Sequence, residues 1–145
     1  MTRYKYAGGL ASLALLAGCS GLVGGPCSHT YRDPLLTIAT ATNSASGVGV
    51  ARLLLAEFRV NGQPAQPQMV ILGDQSERVT LADEVVICDV ACAFGTSEGR
   101  YEFTVSAPGY RTAAVQVEAR YPRFKGGCPS YNAGTNRLDV RLAPQ

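Results

Sequence analysis

Alternation of apolar and polar residues in the C-terminal half most constrains the fold of this 145-residue chain. Between residues 101 and 107, apolar residues occupy every second position and polar residues stand between them. The same two-residue period recurs at 115–119 and at 138–142. Because successive side chains of a β-strand point to opposite faces, we expect each segment to form a strand with one buried face. Three such strands predict an all-β chain folded as a single antiparallel β-sandwich.

Shorter β-runs precede these strands, with turn-forming residues between them. The run at 52–60 ends at Asn61-Gly62, a dipeptide typical of a two-residue hairpin turn. A helix over 51–58 is the alternative, because some of its apolar residues also have helical spacing. Two prolines predict a loop or a sheet edge at 63–68. Further strands are expected at 35–42, 69–72, 78–81 and 85–90.

Residues 98–111 carry a resemblance to a known family. They read Glu-Gly-Arg-Tyr-Glu-Phe-Thr-Val-Ser-Ala-Pro-Gly-Tyr-Arg. This resembles the Gly-x-Tyr/Phe-x-hydrophobic-x-Val-x-Ala-x-Gly-Tyr signature of the carboxypeptidase regulatory-like domain, a transthyretin-like β-sandwich also seen in surface lipoproteins. In that reading Gly99 permits a tight turn, Tyr101 and Phe103 enter the core, and Pro108-Gly109 reverses the chain. The resemblance covers about residues 95–142, is poor before 85, and implies an accessory module without catalytic residues.

The N-terminus has the organisation of an export signal. Arg3 and Lys5 give it a positive start, and residues 6–17 form an apolar stretch too short to span a bilayer. The ending Leu16-Ala17-Gly18-Cys19 resembles the lipobox of bacterial lipoproteins, which implies cleavage before Cys19 and attachment of a lipid to its thiol. The alternatives are an ordinary secretory signal with an incidental cysteine, or a buried helix. Ser20 stands where an inner-membrane retention signal usually carries Asp, and resemblance to enterobacterial sorting therefore implies the outer membrane.

Cleavage would divide the chain into three parts. These are the signal peptide (1–18), the lipidated cysteine with a Gly-rich tether (19–26) and the folded domain (27–145). The seven tether residues after Cys19 reach at most ~25 Å, so we expect the domain close to the membrane, on its periplasmic or surface-facing side. Two cations leave with the signal, and the remaining 11 basic and 11 acidic residues give no net charge. This balance argues against a nucleic-acid partner.

Four cysteines remain after Cys19 takes the lipid: Cys27, Cys88, Cys92 and Cys128. An exported protein meets an oxidising compartment, so two disulfides are expected, in one of three pairings. We favour Cys27 with Cys128, because each precedes a terminal strand by a similar stretch, and Cys88 with Cys92. A fully extended chain would hold the last two sulfurs about 13 Å apart, so their bond requires a turn at residues 89–91.

Residues that could perform catalysis are sparse. His29 is the only histidine, and no nucleophile motif such as Gly-x-Ser-x-Gly accompanies it. Asp83 and Glu84 are the only adjacent carboxylates, and neighbouring side chains of a strand diverge. No Gly-rich phosphate loop lies between a strand and a helix. The sequence therefore predicts no enzyme, no cofactor and no metal; the alternative is a periplasmic metal or redox protein that uses Cys88, Cys92 and His29.

The connection between the last two strands concentrates cations and aromatic rings. This candidate binding loop contains Arg120, Tyr121, Arg123, Phe124, Lys125 and Tyr131. Arginine with aromatic residues suits anionic headgroups, glycans or protein hot spots; the alternative is a solvated connection whose rings pack on the sandwich. The sequence predicts a membrane-anchored, non-enzymatic binding or structural module with an envelope protein, glycan or lipid as ligand. An assembly subunit of a secretion or pilus system, docking one protein partner, is the alternative.

Overall fold

The computed structural model describes residues 32–71, 76–123 and 136–145. These residues form strands with one short helix, which confirms the predicted all-β class. The predicted signal peptide and tether lie outside the described residues. The elements are β1 (Leu36–Asn43), β2 (Arg52–Val60), β3 (Gln63–Pro64), α1 (Pro67–Ile71), β4 (Glu77–Ala82), β5 (Val85–Phe94), β6 (Gly99–Ser106), β7 (Ala113–Ala119) and β8 (Asn136–Leu142).

The strands belong to one sheet that is nearly closed into a barrel-like shape. Its order is β7-β6-β2-β5-β1-β8, with β3 added to β2 and β4 added to β5. The strand pairs are antiparallel except for β1 with β8, which run parallel from Leu36↔Asn136 to Asn43↔Leu142. The expectation of a wholly antiparallel arrangement is therefore wrong. Alternation marks a half-buried strand but not its direction, and the long path from β1 to β8 permits either orientation.

Strand β6 buries the face that its alternation predicted. Tyr101, Phe103 and Val105 are at most 2% exposed, whereas the residues between them are partly exposed. The Phe103 ring lies 5.5 Å from that of Phe58 and 5.8 Å from that of Phe94, measured between centroids. These three rings occupy the core because aromatic side chains remove large apolar areas from water. Strands β7 and β8 also follow their predicted alternation.

Strand β2 covers the predicted residues, so the helical alternative at 51–58 is wrong. Asn61 and Gly62 follow it with φ of 52° and 79°, the left-handed pair that a tight hairpin turn requires, and β3 pairs back onto β2. The register of β2 against β6 shifts between Ala56 and Arg59, where Glu57 has a φ of 55°. This β-bulge sets two residues of β2 opposite one residue of β6.

The strand predicted at 69–72 is wrong, because residues 69–71 belong to α1; residue 72 lies outside the described part. The helix starts at Pro67, whose fixed φ and missing N–H suit the first helical position. Pro67 and Val70, three residues apart, are buried, while Met69 is 72% exposed. A short apolar run does not distinguish a strand from a helix, and here the proline decides.

Candidate functional site

Cys88 and Cys92 form a disulfide within strand β5, with their Cα atoms 5.6 Å apart. It is the pairing that the sequence favoured for these two cysteines. Since an extended chain would separate them by about 13 Å, the strand must turn between them. The register locates this turn, because Asp89 lies opposite Arg52 of β2 whereas Cys92 lies opposite Ile38 of β1. Strand β5 thus passes from one neighbour to the other across its own disulfide.

The bonded sulfurs are inaccessible. Cys88 and Cys92 are both 0% exposed. Thiol–disulfide exchange needs an attacking thiolate to reach a sulfur, and a soft metal needs free thiolate ligands. Among the described residues, no cluster of three His, Cys, Asp or Glu side chains could hold a metal ion. His29, the third member of the predicted metal or redox set, lies outside these residues. The arrangement of Cys88 and Cys92 suits a structural crosslink.

An exposed ion pair flanks the turn in β5. The Arg52 Nε donates to Asp89 Oδ1 at 2.7 Å. This hydrogen bond lowers the pKa of Asp89 below its ordinary value, and it raises the pKa of Arg52. The side chains are 67% and 39% exposed, so solvent screens their attraction and the pair contributes little to stability.

Four chain segments converge at one end of the sheet: the residues before β1, those before β6, those after β7 and the start of β8. We call this place the N-terminal corner and define it by Asp33, Leu35, Glu98, Tyr121 and Asn136. The Tyr121 hydroxyl donates to the Asp33 carbonyl oxygen at 2.6 Å, and the Tyr121 amide donates to Glu98 Oε1 at 2.9 Å. The Asn136 Nδ2 donates to the Leu35 carbonyl oxygen at 3.0 Å. These bonds fasten segments that lie up to 101 residues apart in the sequence.

In the described part of the candidate binding loop, the two arginines are exposed and the tyrosine is buried. The Arg120 and Arg123 side chains are 72% and 62% exposed. Arg120 donates to Glu118, which raises the pKa of Arg120, and the Arg123 Nη2 donates to Glu98 at 2.6 Å. Tyr121 is only 3% exposed and packs in the core, as the alternative reading of this loop expected. The other candidate residues Phe124, Lys125 and Tyr131 lie outside the described residues, as do Cys19, Cys27 and Cys128.

A groove that the sequence did not indicate lies on the outer face of β2, β6 and β7, with a volume of about 780 Å³. Its lining includes Glu57, Arg59, Arg100, Glu102 and Gln116. The Arg100 Nη2 lies 3.0 Å from Glu102 Oε1. The two cations and two carboxylates among these residues balance, so the groove carries no excess of one charge sign. The groove lies at the β2 bulge, for which the sequence has no clear signal.

The adjacent carboxylates form no shared site. Asp83 and Glu84 are the two exposed residues of the turn that joins β4 to β5. Asp83 has a φ of 54°, a conformation that Asp tolerates in tight turns. Their place in an exposed turn explains the pair without a catalytic role.

Comparison with known proteins found no relative of this chain. The chain matches no family model, no curated protein and no solved structure. Across residues 32–71, 76–123 and 136–145, no helix has the length and apolar character needed to cross a membrane. The function is therefore inferred from this chain's own residues.

Proposed function

We propose that this chain is a cell-envelope lipoprotein, anchored through a lipid on Cys19, whose domain is a non-enzymatic binding or structural module. The observation that carries the proposal is Leu16-Ala17-Gly18-Cys19, which follows two cations and a short apolar stretch. Two or more acyl chains, each contributing about 0.8 kcal/mol per buried CH₂, anchor a protein stably where one chain binds only marginally. Ser20 after the lipidated cysteine supports an outer-membrane location, with the domain periplasmic or surface-facing.

We also propose that the domain is a transthyretin-like β-sandwich of the carboxypeptidase regulatory-like type. Burial of Tyr101 and Phe103 at alternate positions of β6 supports this, because the family signature places an aromatic and a hydrophobic residue at these two positions. The chain reversal after β6 agrees as well. Gly109 has a φ of 82°, and the Tyr110 amide donates to the Ala107 carbonyl oxygen at 3.0 Å.

The buried disulfide supports an exported location, because structural disulfides persist in oxidising compartments. The same bond between Cys88 and Cys92 gives less support to the metal or redox alternative, since bonded and buried sulfurs do not serve as ligands or exchange partners. The absence of net charge after signal cleavage gives no support to nucleic-acid binding.

The anchor is tested by metabolic labelling with a fatty acid in cells that express the full chain. The natural chain is expected to incorporate the label and to fractionate with membranes. Cys19→Ala removes the acceptor thiol, so it should carry no label and accumulate as an unprocessed precursor. Ser20→Ala is the matched control, because it leaves Cys19 in place and should be labelled normally. Label that persists in Cys19→Ala overturns the proposal.

The binding role is tested by chemical crosslinking in native membranes that carry the lipidated protein. A binding module for a glycan or lipid should yield no stoichiometric protein adduct. A single protein crosslinked at fixed stoichiometry would instead favour the assembly subunit of a secretion or pilus system.

A further inference from the structure

The N-terminal corner is one of two poles of the domain. Strands β1, β6 and β8 begin at the corner and β7 ends there, as the pairs Leu36↔Asn136 and Gly99↔Ala119 show. The opposite ends meet at what we call the distal pole, defined by Asn43, Leu142, Tyr110 and Pro144. There Asn43 pairs with Leu142, and Tyr110 forms a bridge with Pro144. Strands of seven or eight residues rise by ~3.3 Å per residue, so about 20–25 Å separates the poles.

The proposed lipid is joined to the domain through the N-terminal corner. The Tyr121 hydroxyl fixes Asp33 there, immediately before β1. Cys19 precedes Arg32 by 13 residues, a length of chain that reaches at most ~45 Å. To bring the distal pole to the leaflet, this chain would have to run back along a body of about 20–25 Å. The described chain starts at the corner, so the shortest path from the lipid ends there, and we expect the anchor to hold this pole nearer to the membrane.

The corner also presents side chains that fit a phosphate-bearing surface. Arg120 and Arg123 project from it with 72% and 62% of their side chains exposed. Guanidinium groups bind phosphate oxygens through paired N–H donors. Their ion pairs with Glu118 and Glu98 are exposed to solvent, which weakens them, so a headgroup phosphate can compete with the carboxylates.

We propose that the N-terminal corner is a membrane-facing surface on which Arg120 and Arg123 contact headgroup phosphates of the leaflet that holds the Cys19 lipid. The inference rests on the lipid anchor proposed above and adds the orientation of the domain. It leaves the distal pole pointing away from the leaflet.

Site-specific photocrosslinking in cells that express the full chain tests this orientation. A benzophenone amino acid replaces Ser97, next to Glu98 of the corner, or Ser44, which follows Asn43 at the distal pole. Both serines are exposed, and the hydrogen bonds shown for them use backbone atoms, so the replacements are matched. We expect phospholipid adducts from position 97 at a yield several-fold higher than from position 44.

The outcomes separate this inference from the anchor. If the chain carries the fatty-acid label but the two positions give equal yields of phospholipid adduct, or position 44 gives more, the orientation is wrong and the anchor stands. If the natural chain carries no fatty-acid label and does not fractionate with membranes, the anchor is wrong, and so is the orientation that depends on it.

Charge removal tests the phosphate contact itself. Arg120→Gln with Arg123→Gln should lower the adduct yield at position 97 several-fold, whereas Arg111→Gln near the distal pole should leave it unchanged. Arg111 is a suitable control because it is exposed and its amide donates to the Ala143 carbonyl oxygen. An unchanged yield in the double variant, with normal fatty-acid labelling and thermal melting, overturns the contact.

Discussion

The Tyr121 hydroxyl donates a 2.6 Å hydrogen bond to the carbonyl oxygen of Asp33, 88 residues earlier in the chain. The bond joins the segment before β1 to the segment after β7, two strands that are far apart in the sheet order. Tyr121 is 3% exposed, so the ring anchors this connection in the core while the hydroxyl fixes the segment before β1.

Tyr121→Phe keeps the buried ring and removes the donor, so we expect it to lower the free energy of unfolding by about 1 kcal/mol. Urea denaturation measures the loss, and amide hydrogen exchange at Asp33 and Leu35 should accelerate. Tyr110→Phe is the control, because that ring is only partly buried. Equal effects of the two substitutions would show that the bond to Asp33 contributes nothing specific.

Replacing Cys88 and Cys92 together by alanine should lower the free energy of unfolding by about 2 kcal/mol, because their bond closes a short loop in the unfolded chain. Mass mapping of proteolytic fragments, made without reduction, should show these two cysteines linked. A fragment that links either one to Cys27 or Cys128 contradicts this pairing. Removing the predicted bond between Cys27 and Cys128, which closes a longer loop, should cost ~2 to 5 kcal/mol.

Phe103→Ala should lower the free energy of unfolding by about 3–5 kcal/mol, because its ring is 2% exposed and packs against Phe58 and Phe94. Thr104→Ala on the other face is the control. It removes a 3.2 Å hydrogen bond to the Ala56 carbonyl oxygen and should cost only about 1 kcal/mol. Similar losses at the two positions, measured by thermal or urea denaturation, would contradict the inward and outward assignment of β6.

Gly99→Ala should destabilise the domain by about 1–3 kcal/mol. Gly99 has a φ of 152°, and an added Cβ would collide with the Asn61 side chain, whose Oδ1 accepts the Arg100 amide at 2.9 Å. Gly49→Ala provides the control, since nothing lies within 4 Å of its Cβ position and its φ is not left-handed. Denaturation curves in urea should separate the two variants; a Gly99→Ala variant as stable as Gly49→Ala would contradict the close approach.

What could be predicted from the sequence depended on local information. The alternation around Phe103 fixes which residues of β6 are buried, and Asn61-Gly62 fixes a turn, because pleating and left-handed backbone are properties of neighbouring residues. The parallel pairing of β1 with β8 and the bulge at Glu57 depend on contacts between distant segments. The exposed groove beside that bulge was missed for the same reason.

The same distinction between local information and contacts of distant segments applies to the candidate site. The bond between Cys88 and Cys92 followed from the predicted export and the cysteine count, together with the turn that such close spacing requires. The burial of Tyr121 was only one of two alternatives for its loop, because the carbonyl that accepts its hydroxyl belongs to Asp33, 88 residues earlier in the chain. A loop rich in arginine and aromatic residues therefore combines a core anchor with exposed cations.

The ion pair between Arg52 and Asp89 predicts a pH dependence of stability. The hydrogen bond from Arg52 holds the folded-state pKa of Asp89 below its unfolded value, which is about 3.9. The stabilisation is therefore complete above the unfolded pKa and is lost as the pH falls through the folded pKa. Asp89→Asn should lower the melting temperature slightly at neutral pH, and the difference from the natural chain should vanish in strongly acidic solution.

The matched substitution Arg52→Gln removes the other half of the pair and should reproduce the pH dependence of Asp89→Asn. Combining the two should cost no more than either alone, because both remove the same interaction. The loss is small because the side chains are exposed and solvent screens their attraction. A melting difference for Asp89→Asn that persists unchanged at acidic pH would contradict the electrostatic origin, since a protonated aspartic acid and an asparagine are both uncharged.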